Sequence, residues 1–264
     1  MYRAYWTLSR APFQTVPDPD FFCPFPACGE ILDRLLYVAD YGKGIAVVTG
    51  EVGTGKSTLS RVLIYRMNEE KYDVGLVINP SIPPKEFLYE IALQLGISSP
   101  KKQRSAIFRA INRHVLQNAQ RGKNTVLIID EAHTMAQKAA FEELRMLLNF
   151  QLGDRHLLTL FLFGQPDLKE ALAHQPPLDQ RVAIRLNLGP LSEEETVSYI
   201  DFRLERVGCT RRIFTDEAIG MIHREAEGLP RGINNLCDLC LFEGMRRQAS
   251  EVDAPLVKEI LALA

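Results

Sequence analysis

The chain lacks long apolar runs, and this absence excludes membrane-spanning classes of protein. No uninterrupted apolar segment in its 264 residues approaches the roughly 20 residues that a transmembrane helix requires. The first six residues, MYRAYW, also lack the apolar core of a secretory signal peptide. We therefore expect a cytoplasmic protein with no direct membrane span.

Neither sign of charge is in excess. The 31 Lys and Arg residues nearly balance the 33 Asp and Glu residues, which gives a formal net charge of −2. No global field therefore attracts nucleic acid, although a local basic patch remains open. A hydrophobic fraction of 46% and a charged fraction of 24% are typical of a soluble globular chain with one or two domains.

Cysteine and histidine are scarce and do not form a recognisable metal motif. Cys237 and Cys240 form a CxxC, but the apolar spacing around them is helical, which indicates buried helix cysteines rather than metal or redox chemistry. Cys23 and Cys28 flank a proline-containing loop, and a four-cysteine zinc site would lack the usual second close-spaced loop pair. The five histidines show no HxxxH spacing, so we interpret them as structural or solvated.

Glycine is concentrated in one informative place, directly after the apolar run 45–49, which we interpret as a buried strand. Residues 50–57 read GEVGTGKS, a complete GxxxxGKS phosphate-binding loop. A strand, a glycine turn and a helix in this order aim backbone N–H groups and a helix N-terminus at one polyanion. Lys56 should reach the β- and γ-phosphates, and Ser57 should coordinate Mg²⁺. The nucleotide-binding residues we predict are Gly50, Glu51, Val52, Gly53, Thr54, Gly55, Lys56, Ser57, Thr58 and Asp130.

Two acidic residues follow a second apolar run. The run 125–129 resembles a Walker B strand and ends in Asp130 and Glu131. At the carboxyl end of a parallel strand, Asp130 should hold Mg²⁺ through water. Glu131 should point the other way and act as the general base on the attacking water. The alternative is a strand that ends in two solvated acids, but the phosphate loop earlier in the chain favours the catalytic interpretation.

Strand and helix patterns alternate through the first part of the chain. We predict strands at 45–49, 74–78, 125–129, 157–163 and 184–188, and helices at 30–41, 58–70, 85–95, 105–120 and 141–151. This alternation predicts an α/β fold with a five-stranded, doubly wound parallel sheet and a ligand at the carboxyl ends of the strands. The preceding proline-rich segment should be extended and packed rather than helical.

The strand patterns stop at residue 190. Helices are predicted from 193 to about 207, from 215 to near 228, over 231–248 and over 254–263. We therefore predict three parts: an N-terminal segment rich in proline and phenylalanine at 1–29, an α/β core at 30–189, and a small all-helical domain at 190–264. No internal repeat or low-complexity tract is visible.

Taken in order, these motifs resemble those of the AAA+ ATPases, a class of P-loop NTPase. The resemblance extends over essentially the whole chain to the ExeA-type secretion ATPases, also called general secretion pathway protein A. It rests on Phe13, the PDP at 17–19, the phosphate loop, FGQPDL at 163–168 and LPRGINNLC at 229–237.

The resemblance implies roles for further residues. Gln165 would be sensor 1, which contacts the γ-phosphate or the attacking water, and Arg231 would be sensor 2 in the lid, residues 190–264. Arg181 would be an arginine finger that acts on a neighbouring subunit, with Arg185 as the competing candidate. A strand-end glutamine in a turn and ordinary surface arginines are the plainer alternatives. Adenine would lie between the N-terminal segment and the lid.

The implied activity is Mg²⁺-dependent ATP hydrolysis by a ring or filament homo-oligomer with ATP and Mg²⁺ as cofactors. It would power or regulate assembly of a bacterial envelope system, such as type II secretion, a pilus or exopolysaccharide export, with envelope-assembly components as partners. Longer ExeA-type proteins continue into a membrane span and a peptidoglycan-binding domain, whereas this sequence stops after the lid.

Two other functions remain open. A DNA-binding transposition-helper ATPase has a similar core, and basic residues on one predicted helix and its approach could meet phosphates: Lys101, Lys102, Arg104, Arg109 and Arg113. The plainer alternative for these residues is a solvated helical face. A nucleotide-gated scaffold with negligible turnover is disfavoured by the intact Glu131.

Overall fold

The computed structural model describes residues 1–98, 103–135, 138–153 and 155–262, without the side chain of Lys138. Its strands are β1 (Ile45–Thr49), β2 (Tyr72–Val77), β3 (Asn124–Ile129), β4 (Gln151–Leu152), β5 (Arg155–His156), β6 (Leu158–Gly164) and β7 (Val182–Asn187). Its helices are α1 (Tyr2–Tyr5), α2 (Pro26–Asp40), α3 (Lys56–Arg66), α4 (Pro84–Gln94), α5 (Arg104–Gln120), α6 (Lys138–Leu147), α7 (Leu168–Ala173), α8 (Pro176–Asp179), α9 (Glu193–Glu205), α10 (Asp216–Glu225), α11 (Pro230–Arg246) and α12 (Ala254–Leu261).

Five strands form one parallel sheet in the order β2-β3-β6-β1-β7. Every residue of β1 and β6 is buried, which is the pattern of strands covered on both faces by helices. The helices between the strands supply apolar side chains to the core of the sheet unit, as Phe87, Ile91 and Ile111 do. The predicted five-stranded α/β fold is confirmed.

The described chain forms two compact units. Residues 26–50 and 59–188 form the sheet unit, and residues 1–25, 51–58 and 189–264 form the helical unit. The phosphate loop therefore belongs to the helical unit except for Gly50. None of the described helices combines the length and apolarity that crossing a membrane requires.

Three helices of the helical unit, α9, α10 and α12, begin at side-chain caps. Ser192 Oγ accepts the N–H of Glu195 at 3.1 Å, and the Glu195 carboxylate accepts the N–H of Ser192 at 2.9 Å, which is a complete capping box. Thr215 and Asp253 cap α10 and α12 with a single bond each, in which their side chains accept the N–H of Ala218 and of Leu256. These caps satisfy N–H groups that the helices themselves leave unpaired.

The N-terminal segment packs into the core of the helical unit. Trp6, Phe13 and Phe21 are buried there, and Trp6 Nε1 donates a 2.7 Å hydrogen bond to the carbonyl of Leu241. Cys237 and Cys240 are also fully buried in α11, as the helical spacing predicted, and burial raises the pKa of both thiols, that of Cys240 to about 12. The hydrophobic core of this unit therefore includes residues distant in sequence.

Local boundaries differ from the prediction in several places; for example, α3 ends at Arg66 rather than at 70. The N-terminal segment contains the short α1 and a 3₁₀ turn at Pro19–Phe21, where Asp18 accepts the N–H of Asp20. Helix α6 ends at Leu147, before the predicted end at 151, because the chain turns there into the short antiparallel pair β4–β5. These two-residue strands are largely exposed and polar, so they carry no hydrophobic alternation that a sequence pattern could reveal.

Candidate nucleotide-binding and hydrolysis site

The carboxyl ends of three parallel strands meet at one edge of the sheet. The register pairs Thr49 of β1 with Gly164 of β6, and Ile129 of β3 with Leu162 of β6. Gly50, Asp130 and Gln165 follow the ends of these strands and therefore lie at the same edge. The N–H of Gly50 donates to the carbonyl of Gly164 at 3.3 Å.

The phosphate loop has the backbone that its glycines permit. Gly53 and Gly55 have φ values of +88° and +100°, in the left-handed region that favours glycine. The carbonyl of Glu51 accepts hydrogen bonds from Thr54 Oγ1 at 2.9 Å and from Lys56 Nζ at 2.8 Å. Lys56 is 6% exposed and is the first residue of α3. The loop thus joins a buried ammonium group to a helix N-terminus, the combination that suits a phosphate.

The remaining loop residues differ in exposure. Glu51 and Val52 are exposed, Thr54 is buried, and Ser57 and Thr58 in the first turn of α3 are half-buried.

The phosphate loop also contacts the start of α11. The N–H of Arg231 donates to the carbonyl of Gly53 at 3.2 Å, and a Cβ on Gly53 would lie 3.0 Å from Arg231 Cβ. The exposed Arg231 side chain therefore begins directly beside the loop. This backbone contact joins the loop to the helix that carries the predicted sensor 2.

The two acids that follow β3 lie in different environments. Asp130 is 4% exposed, and its Oδ1 accepts the N–H of Glu131 at 3.0 Å. Glu131 takes a left-handed conformation with φ +52° and ψ +35°, and 43% of its side chain is exposed. Thr134 holds this turn by donating its hydroxyl to the carbonyl of Glu131 at 2.8 Å. The structure thus combines a buried carboxylate with a solvent-accessible one.

A histidine lies between the predicted base and the predicted sensor 1. His133 Nε2 is 2.8 Å from the side-chain amide nitrogen Nε2 of Gln165 and 3.5 Å from Glu131 Oε2. The backbone N–H of Gln165 donates to His133 Nδ1 at 3.4 Å. The sequence alone indicates only a structural or solvated role for His133, so this contact is a finding of the structure. The feature of the sequence that could have indicated a role in the site is the position of His133, two residues after Glu131 in the turn that follows a strand.

Gly164 lets this turn approach the end of β6. A Cβ at Gly164 would lie 3.2 Å from the backbone nitrogen of His133 and 2.9 Å from Leu168 Cδ2. Real Cβ atoms essentially never come as close as the second distance. A side chain at this position would therefore crowd the turn that carries His133.

The two arginine-finger candidates contact their own subunit. Arg181 donates to the carbonyl of Arg145 at 3.1 Å and to Asn149 Oδ1 at 2.9 Å. Arg185 lies on β7, at the edge of the sheet, and pairs with Asp179. Action on a neighbouring subunit would require either guanidinium to exchange these partners.

The basic residues of α5 divide into two groups. Arg104 makes a two-point contact with the buried Glu143 at 2.7 and 2.9 Å, and these hydrogen bonds raise the pKa of Arg104. Arg109 and Arg113 are exposed on the same helix, whose sequence has no acidic residue. Lys101 and Lys102 lie outside the described residues.

The family model described as "AAA domain" matches residues 39–172, which include the phosphate loop, Asp130, Glu131 and Gln165. The chain belongs to the AAA domain family. This AAA chain is 35% identical to general secretion pathway protein A of Aeromonas hydrophila over 256 residues, which are 96% of the chain and 46% of that relative. The predicted resemblance to general secretion pathway protein A is thereby confirmed.

Two further similarities are informative. The Mu-like prophage FluMu DNA transposition protein B of Haemophilus influenzae is 34% identical over 116 residues, 43% of this chain and 37% of that protein. The solved structure of the Aeropyrum pernix ORC2 protein in its ADPNP–ADP complexes is 15% identical, with a TM-score of 0.74 over 96% of this chain and 71% of that one. The latter supports the P-loop AAA+ fold. The AAA chain spans less than half the length of these two curated relatives.

Proposed function

We propose that this AAA-family chain is a Mg²⁺-dependent ATPase that acts as a ring or filament of identical subunits. The observation that carries the proposal is the phosphate loop, in which glycines with left-handed φ precede a buried lysine at a helix N-terminus. This arrangement suits a triphosphate because the backbone N–H groups and the ammonium group all favour negative charge.

Each predicted residue then has a defined task. Lys56 and the loop amides bind the phosphates. The Ser57 hydroxyl and the Asp130 carboxylate are the hard oxygen donors that Mg²⁺ prefers, so the donor set fits this ion. When bound, Mg²⁺ neutralises charge that develops on the phosphates. Glu131 accepts the proton of the attacking water, and Gln165 orients that water or the γ-phosphate.

Two arginines complete the proposed site. Arg231 senses the γ-phosphate and couples it to the position of the lid, which the contact between its backbone and Gly53 supports. Arg181, with Arg185 as the competing candidate, reaches the nucleotide of a neighbouring subunit and stabilises charge in the transition state. An isolated subunit should therefore hydrolyse ATP slowly.

We place the ATPase in the assembly or regulation of a bacterial envelope system, such as type II secretion, a pilus or exopolysaccharide export. The support is the similarity to general secretion pathway protein A, which covers 96% of this chain. Co-purification with envelope components tests this placement.

Nucleotide affinity tests the binding part of the proposal. Lys56→Ala should abolish binding of a fluorescent ATP analogue, whereas Lys85→Ala removes an exposed lysine of α4 and should leave affinity unchanged. Chelation of Mg²⁺ should stop turnover in the wild type. Equal affinities of the wild type and Lys56→Ala would reject the loop as the triphosphate site.

A DNA-binding helper ATPase is the second candidate function. Two observations favour it: the exposed Arg109 and Arg113 on a helix without acidic residues, and the similarity to a DNA transposition protein.

Arginines that contact DNA phosphates give a binding affinity that falls as the salt concentration rises. Replacement of both arginines by Gln should then weaken binding to duplex DNA, measured by fluorescence anisotropy at two salt concentrations. Arg3→Gln with Arg66→Gln is the control with the same change in charge. No salt-dependent binding by the wild type would exclude this candidate.

A further inference from the structure

We propose that His133 is a positioning residue that fixes the side-chain amide of Gln165 in one of its two orientations beside Glu131. The inference rests on the proposed hydrolysis, because the oriented amide serves the attack on ATP. It is carried by the contacts of the two imidazole nitrogens and by the turn that holds the ring.

The first nitrogen decides the form of the ring. The backbone N–H of Gln165 is 3.4 Å from His133 Nδ1, and a backbone N–H acts only as a donor. Nδ1 must therefore present its lone pair. In the neutral ring the hydrogen is then on Nε2, since one imidazole nitrogen is a donor and the other an acceptor.

The second nitrogen then decides the orientation of the amide. Nε2–H needs an acceptor, but the atom 2.8 Å away is the amide nitrogen Nε2 of Gln165, which is itself a donor. The amide must therefore be turned over, so that Oε1 takes the place of this nitrogen. The oxygen and nitrogen of a glutamine amide are assigned from the hydrogen-bond network around them. The network here requires Gln165 to present Oε1 to His133, so its NH₂ group points away from the ring. Glu131 Oε2, at 3.5 Å from the same Nε2, is the other acceptor within reach.

The surroundings of His133 hold the ring in this position. Its side chain is 10% exposed, and the 3₁₀ turn Ala132–Thr134 that carries it is fixed by Thr134 and by the left-handed Glu131. Gly164 has no side chain to crowd this turn, whose His133 nitrogen would lie 3.2 Å from a Cβ there. The imidazole is therefore fixed between the base and the sensor.

The oriented amide explains how Gln165 can serve as a sensor. An NH₂ group donates to a phosphate oxygen or to water, whereas the amide oxygen repels a phosphate. Without His133 the amide can rotate, and subunits that present the oxygen contribute little to turnover. The expected loss is in kcat, because the phosphate loop still binds the nucleotide.

Substitution of His133 separates positioning from folding. His133→Ala should lower kcat about 10- to 100-fold, the scale of effect of a misplaced catalytic geometry, while KM and the affinity for a fluorescent ATP analogue stay near wild type. His133→Gln supplies an amide N–H donor and should restore most of the turnover. His174→Ala, which removes an exposed histidine at the end of α7, is the matched control. Full activity in His133→Ala, or no recovery in His133→Gln, would overturn the proposal.

A readout independent of hydrolysis distinguishes this inference from the proposed function. In NMR spectra of ¹⁵N-histidine-labelled protein, the imidazole signals that disappear in His133→Gln are those of His133. This comparison assigns His133 among the five histidines. We expect its hydrogen on Nε2, and we expect its signals to shift in Gln165→Ala. A hydrogen on Nδ1, or unchanged signals in Gln165→Ala, would overturn the inference even if the protein hydrolyses ATP. If the wild type shows no turnover, the proposed function fails and this spectrum alone decides the inference.

Discussion

At the scale of single residues, two glycines of the phosphate loop differ in what surrounds them. Gly53 combines a left-handed backbone with a close approach to Arg231, whereas Gly55 has the left-handed backbone but nothing within 4 Å of its missing Cβ. Substitution of Gly55 therefore tests backbone strain alone, whereas substitution of Gly53 tests backbone strain together with a steric contact.

Alanine at Gly53 should destabilise the chain more than alanine at Gly55. Gly55→Ala should cost about 1–2 kcal/mol, the cost of a left-handed L-residue. Gly53→Ala adds a contact of 3.0 Å with Arg231 Cβ and should also loosen the join between the loop and α11. Denaturant unfolding and ATP-analogue binding measure the two effects. Equal stability losses in both variants would show that the contact with Arg231 carries no energy.

Sequence motifs predict roles for Lys56, Asp130 and Glu131, because the spacing of a phosphate loop and of acids after a strand is local. His133 was not identified, because its partner Gln165 comes from another strand. Only the pairing of β3 with β6 brings the two residues together. Contacts of this kind depend on strand order, which local patterns leave undetermined.

At the scale of elements, helix α9 begins at a complete capping box. Ser192→Ala removes a hydroxyl that accepts the N–H of Glu195 and should cost about 1 kcal/mol. Ser198→Ala, in the same helix, removes only a hydroxyl that donates to the carbonyl of Glu194, and should change stability by less than about 0.5 kcal/mol. Denaturant unfolding of both variants tests the difference, and equal losses would contradict the role of the cap.

The N-terminal segment is held to α9 by a buried arginine. Arg203 is 5% exposed and donates to the carbonyls of Pro12 and Gln14 at 2.6 and 3.1 Å. It also donates to Tyr199, and burial raises the pKa of that tyrosine. The Phe21 ring lies 4.6 Å from its guanidinium carbon. Arg203 therefore joins the N-terminal segment to α9 through two backbone carbonyls and the Phe21 ring of that segment.

Loss of Arg203 should release the N-terminal segment. Arg203→Met leaves two carbonyls without their charged donor, which should cost about 2–4 kcal/mol. Tryptic cleavage after Arg10, followed by mass spectrometry, should become faster. Arg206→Met removes an exposed arginine of the same helix region and should leave the cleavage rate unchanged. Equal cleavage rates in the two variants would contradict the anchoring role.

Sequence patterns predicted the long elements but not the short ones. Buried strands such as β1 and β6 are short, almost wholly apolar runs between turn residues, and their length favours a strand over a helix. The short α1 and the β4–β5 pair have too few residues for a period to repeat. Their positions depend on tertiary contacts, such as the packing of Trp6 next to α1 against the rest of the helical unit.

At the scale of the whole molecule, a finger that acts between subunits predicts complementation. Arg181→Ala retains its own phosphate loop, and Lys56→Ala retains its finger. Each variant alone should be inactive, whereas a mixture should regain turnover at interfaces where the second variant completes the site of the first.

The same mixture with Arg185→Ala in place of Arg181→Ala identifies the finger. If Arg181 is the finger, Arg185→Ala should be active without a partner. If only the mixture of Arg185→Ala with Lys56→Ala regains turnover, Arg185 is the finger instead. If neither arginine variant regains turnover when mixed with Lys56→Ala, the result contradicts a finger that acts between subunits.

The central claim is that this AAA chain hydrolyses ATP through a site completed by a neighbouring subunit. The steady-state ATPase rate of the wild type and of Glu131→Gln, measured as protein concentration rises, tests it most directly. We predict that wild-type turnover per subunit rises with concentration. Glu131→Gln should bind ATP but turn over at least about 100-fold more slowly, the contribution typical of a general base. Absence of wild-type turnover at every concentration, or equal turnover in the two proteins, would contradict the claim.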